Sequence, residues 1–104
     1  MIDPPLDLDS VRTFVHIAEL ESFTRAAEAM GTSQAAVSLK LKRLEGRLGC
    51  RLFDRTPRYV QLSPRGASFL DQARALLELH DRTLASLSEQ RRRLTIGISD
   101  HVAG

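Results

Sequence analysis

Residues 22–45 read SFTRAAEAMGTSQAAVSLKLKRLE, and this stretch decides the fold. It holds two helix-forming runs separated by Gly31, Thr32 and Ser33. Ser22 suits the cap of the first run, Phe23 to Met30, because a serine oxygen can accept from the free amides of a first helical turn. Ala26 and Ala27 are small enough for another helix to cross closely. Gly31 tolerates the left-handed backbone that ends a helix. Ser33 suits the cap of the second run, Gln34 to about Leu48. There Val37, Leu41, Leu44 and Leu48 recur at spacings of four, three and four, which gathers them on one inward stripe. Two helices joined by so short a turn make a helix-turn-helix, and the leading half of the second helix then projects outward. A helix fits the major groove of duplex DNA, and its N-terminal amides suit phosphate. Thr32, Ser33, Gln34, Ser38 and Lys40 are the polar groups offered.

Upstream, Leu8, Val11, Phe14, Val15 and Ala18 place a further helix over residues 8–20, capped by Asp7 or Asp9. Downstream, CRLFDRTPRYVQLS (residues 50–63) suits two short strands with Thr56-Pro57-Arg58 as the turn, since proline cannot extend a central strand. Arg55 and Arg58 lie at the tip of this wing, where they can reach a narrower groove. Ser63 and Pro64 open a long helix to about Arg91. Its Leu70, Ala73, Leu77, His80, Leu84 and Leu87 step by three and four in alternation, a heptad seam that wants a partner, most simply a second copy. LTIGIS (residues 94–99) alternates as a strand does, so the chain reads as the front of something longer. The expected organisation is a winged helix-turn-helix over residues 1–63, a linker and dimerisation helix over 64–92, and the start of a further domain over 93–104.

The net charge of +2 over 104 residues hides its distribution. Residues 33–65 carry eight basic and two acidic side chains, whereas residues 1–32 carry two basic and six acidic ones. A basic middle third beside an acidic or neutral remainder is the footprint of a polyanion-binding protein. There is no apolar run of membrane-spanning length, and residues 1–9 do not read as a secretion signal. The lone Cys50 cannot form an internal disulfide, fits a reducing compartment, and reads as a half-buried hydrophobe. His16, His80 and His101 lie far apart on different elements, and no catalytic triad, metal-ligand or phosphate-loop spacing occurs. No enzyme activity, metal, cofactor or membrane contact is expected.

The landmarks SFTRAAE (22–28), SQ (33–34) with Ser38, RLE (43–45), LG (48–49), LF-R (52–55) and LSPRG (62–66) together resemble the N-terminal part of a LysR-type bacterial transcriptional regulator. The resemblance covers about Leu8 to the end, with LTIGIS similar to the first strand of that family's effector-binding domain. It implies a mainly α winged helix-turn-helix, three helices plus a two-stranded wing, followed by a long dimerisation helix. It implies binding to palindromic double-stranded DNA as a homodimer, with a tetramer at full length. Regulation by a small-molecule effector would act only through the missing domain, and the setting would be the cytoplasm. By position, Gln34, Ala35, Ser38 and Leu39 would face bases. Ser22, Thr24, Arg25, Ser33, Arg43 and Arg55 would lie near phosphates, and Arg58 near the minor groove. Three positions depart from the family pattern: Ala35 stands where proline is usual, Lys40 where glutamine is usual, and Leu39 where a polar residue is common. Leu39 offers a base edge no hydrogen bond and can touch only a thymine methyl.

Two other readings account for less. A helical interaction module explains the heptad seam but not the basic block. A non-specific architectural DNA binder explains the charge but not the helix-turn-helix spacing.

Overall fold

The computed structural model describes residues 5–103 except 56–58, and it describes side chains for residues 5–54 and 59–94. Helix α1 spans Leu8–Leu20, α2 Phe23–Met30 and α3 Gln34–Leu48. Strands β1 (Phe53–Arg55) and β2 (Val60–Leu62) follow, and then α4 (Pro64–Ala103). The strands pair antiparallel in the register Phe53 to Leu62, Asp54 to Gln61 and Arg55 to Val60.

Each boundary has a local cause. Asp7 caps α1, accepting from the Asp9 amide. Ser22 Oγ accepts from the Arg25 amide and Ser33 Oγ from the Ala36 amide, so both serines cap the helices that follow them. Gly31 sits at φ 65°, in the left-handed region where a side chain would be strained. Its amide and that of Thr32 turn back to the carbonyls of Glu28 and Ala27 and close α2. Helix α1 instead ends on Glu21, a non-glycine residue at φ 52°, which nothing in the sequence flagged. Ser63 Oγ accepts from the Gly66 amide at 2.9 Å and donates to the Arg51 carbonyl at 2.6 Å, joining the start of α4 to the start of the wing.

The core is built where α1, α2 and α3 cross and the wing closes on them. Val11, Phe14, Ile17, Ala26, Val37, Leu44 and Leu52 are almost completely buried. Phe14 centres an aromatic cluster, its ring 5.4 Å from those of Phe53 and Phe69. The closeness of α2 and α3 follows from Ala26 and Ala27, both buried. Glu45 reaches from α3 to accept the Leu52 amide at 2.7 Å, which pins the wing to the second helix of the pair. Gly66 lets α4 approach the chain before β1: a Cβ there would lie 1.9 Å from the Leu52 carbonyl oxygen. Cys50 is half-buried against the core, as its reading as a small hydrophobe anticipates.

The long helix departs from expectation in two ways. It is 40 residues and continues to Ala103, so Leu94–Ser99 is helical and the expected boundary at 92/93 is passed without a break. A strand needs a neighbour to take its backbone N–H and C=O groups. Extending α4 satisfies those groups within the segment. The seam also divides. Ala73 and Leu77 are 0% and 5% exposed because they pack onto the winged domain of their own chain, and Leu70 lies half-buried beside them. Leu84 and Leu87, on the same stripe, are 54% and 55% exposed. Ala73 and Leu77 are thus spent within the chain and present no surface to a partner. His80 sits at the point of division, 3.1 Å from Asp81.

Among the described residues no helix is long and apolar enough to cross a membrane, and no cluster of histidine, cysteine, aspartate or glutamate is arranged to hold a metal ion.

Candidate nucleic-acid interface

Helix α3 has two faces that serve different ends. Val37, Leu41 and Leu44 are buried and lock it across α1 and α2. At 100° per residue the opposite face carries Ala35, Ser38, Leu39, Lys42 and Gly46, and all five are exposed. Its leading end is open: Ser33 and Gln34 are exposed and Thr32 is half-buried. The Ala36 amide is taken by the Ser33 cap, and the remaining first-turn amides and the aligned helix dipole face this open end, an arrangement suited to an anion or a groove rim.

Around that end the chain supplies polar and basic groups. Thr24, on α2, is exposed and donates its hydroxyl to Gln34 Oε1 at 3.3 Å, which holds Gln34 beside α2 while its amide nitrogen remains a donor. Arg25 and Arg43 are exposed on either side of the turn. Ser22 and Ser33 both use an oxygen lone pair in capping and keep an O–H donor. Gln34, Ala35, Ser38 and Leu39, expected to face bases, are all exposed, as are Thr24, Arg25, Ser33 and Arg43.

Lys40 does not join this surface. Its ammonium lies 2.5 Å from an Asp9 carboxylate oxygen on α1. Position 40 falls at the flank of the inward stripe, three residues from Val37 and four from Leu44, so its side chain is directed along α1 rather than outward. Lys42 holds the outward position instead, one turn beyond Ser38 and Leu39. Sequence reading passed over it, although counting outward from the buried stripe by three and four would have found it. In the wing, Arg55 closes β1 through its backbone, and its side chain is outside the described residues, as is Arg58 altogether. Tyr59, next to the wing turn, is 71% exposed.

Farther from α3, Arg12 on α1 reaches Asp81 on α4 through both terminal nitrogens, at 2.9 and 3.5 Å. Hydrogen bonds from Arg12 and then His80 hold the Asp81 carboxyl below its ordinary range. The pair is solvent-exposed, so its contribution to stability is small.

Comparison with known proteins fits this geometry. Residues 8–67 match the family described as bacterial regulatory helix-turn-helix protein, lysR family. The chain is 45% identical over 100 residues to the HTH-type transcriptional regulator PecT of Dickeya dadantii, a span of 94% of this chain and 32% of that relative. It is also similar to the solved BenM DBD in complex with catB site 1 DNA: TM-score 0.76, 32% identity, covering 80% of this chain and 92% of that one. A structure of Vibrio fischeri DarR in complex with DNA matches with TM-score 0.80 and 26% identity over 86% of this chain and 30% of that one. The chain thus spans about a third of the length of its full-length relatives.

Proposed function

Since the chain belongs to the lysR family of bacterial regulatory helix-turn-helix proteins, we propose that it is the DNA-binding part of a transcriptional regulator that recognises a palindromic operator as a homodimer. The observation that carries this reading is the open leading end of α3. Its inner face is fully engaged in the core, and its outer face, with the remaining first-turn amides, meets solvent among basic side chains. Gln34, Ala35, Ser38 and Leu39 would enter the major groove, with Lys42 following along it. Ser22, Thr24, Arg25, Thr32, Ser33 and Arg43 would grip phosphates. Arg55 and Arg58 of the wing would reach an adjacent phosphate or the minor groove. That DNA lies in the solved complexes of similar domains supports the assignment.

The dimer rests on the exposed leucines of α4. Leu76, Leu79, Leu84, Leu87 and Leu94 are exposed, and a rod of leucines extending beyond its own domain is covered most simply by a second copy. Two recognition helices would then sit about one helical turn apart, roughly 34–36 Å. In the longer protein the chain would pass from α4 into an effector-binding domain that takes a small molecule, assemble further to a tetramer, and act in the cytoplasm. The chain's own basic middle third supplies the polyanion attraction without any cofactor.

Gln34→Ala tests base reading. Binding to the cognate site should weaken by about 1–3 kcal/mol, and binding to random DNA should hardly change, when both are measured at one salt concentration. Equal loss on both would favour non-specific architectural binding.

A further inference from the structure

The outward face of α3 is unusual for a surface meant to hydrogen-bond. Ahead of α4, the large apolar or aromatic side chains exposed among the described residues are Leu39, at 48%, and Tyr59. They lie on the two elements offered to a duplex, the recognition helix and the wing. Elsewhere in the winged domain such side chains are buried or half-buried. Leu39 is centred on the outward face, with exposed Ala35 one turn before it and exposed Arg43 one turn after it. Lys40, the cation nearest Leu39 in sequence, is turned to Asp9. Exposed Ser38, Lys42 and Arg43 flank Leu39, which itself offers that face no hydrogen-bonding group.

On a face that lies against a duplex, an exposed leucine gains only from an apolar feature of the partner. The major groove presents one such group, the C5 methyl of thymine. We infer that Leu39, flanked by Ala35, reads a thymine methyl, so that this chain selects thymine at one step of each half-site by apolar contact where a hydrogen bond would otherwise discriminate. The inference rests on the DNA reading proposed above and specifies its chemistry. It also distinguishes Leu39 from Gln34 and Ser38, which read donor and acceptor patterns and are indifferent to that methyl.

Deoxyuridine differs from thymidine by the methyl alone and pairs identically. The test starts from a duplex recovered by site selection with this chain, in which each thymine of a half-site is replaced in turn by deoxyuridine. At one position affinity should fall about fourfold, the value of one methyl-sized group removed from water. Leu39→Ala should bind the thymine and uracil duplexes equally, and Leu39→Met should keep the discrimination. Circular dichroism should show both variants folded, as expected for a half-exposed side chain. Specific binding with no deoxyuridine-sensitive position would overturn the inference and leave the regulator reading intact. So would a sensitivity that persists undiminished in Leu39→Ala. Failure to recover any preferred duplex would instead count against the DNA reading itself.

Discussion

Helices α3 and α4 carry the same sequence pattern and meet different fates. In α3 the stripe Val37, Leu41 and Leu44 is covered along its length by α1 and α2 of the same chain. In α4 the stripe begins buried at Ala73 and Leu77 and emerges into solvent at Leu84 and Leu87. The cause is reach. A helix of 15 residues fits within the small domain, whereas one of 40 residues, at about 1.5 Å per residue, outruns it. Periodicity identifies the apolar face of a helix. What covers that face depends on how far the rest of the chain extends.

The contrast can be broken most forcefully at its buried ends. Leu44→Ala and Leu77→Ala each remove a well-packed side chain, and each should lower unfolding free energy by about 2–5 kcal/mol in denaturant titration. If Leu77→Ala were silent, α4 would not be docked as described. A middle-sized effect is expected on the emerging stretch. Leu87→Asp should leave the helical content and the winged domain intact yet shift the chain to monomers by light scattering. A dimer that survives would place the partner surface elsewhere. The smallest effect sharpens the junction between the two regimes. Asp81 is held below its ordinary pKa by Arg12 and His80. Its contribution to stability is therefore present above the ordinary carboxylate range and lost as pH falls through the lowered value. Asp81→Asn should lower Tm slightly at neutral pH and low salt. The difference should close in roughly 1 M salt, and also in acid once the wild-type carboxyl is protonated.

The helix-turn-helix was legible because each of its parts has a local cause. Ser22 and Ser33 cap, Gly31 turns, Ala26 and Ala27 admit a close crossing, and the spacing of Val37, Leu41 and Leu44 fixes the inward face. The limits of α1, the pairing of the wing and the opening of α4 by Ser63 and Pro64 were legible for the same reason. Long-range relations were not. That Lys40 pairs with Asp9, 31 positions earlier, depends on where α1 lies, and Lys42 and Arg43 are the neighbouring cations left exposed on α3. That Glu45 accepts from the Leu52 amide depends on how the wing folds back. The strand pattern of Leu94–Ser99 falls in helix α4 here; two-residue alternation in six residues is weak, and a strand also needs a neighbour. The heptad spacing put Ala73, Leu77, Leu84 and Leu87 on one stripe, but that the first two are buried on the chain's own domain and the last two are exposed follows only from three-dimensional reach.

The central claim is that the leading end of α3 meets the duplex. Amide hydrogen exchange by mass spectrometry, with and without a selected duplex, tests it directly. The account predicts new protection concentrated in peptides covering residues 32–43 and the wing, with little change in the buried stretch of α1. Protection confined to α4, with residues 32–43 exchanging as in the free chain, would contradict it.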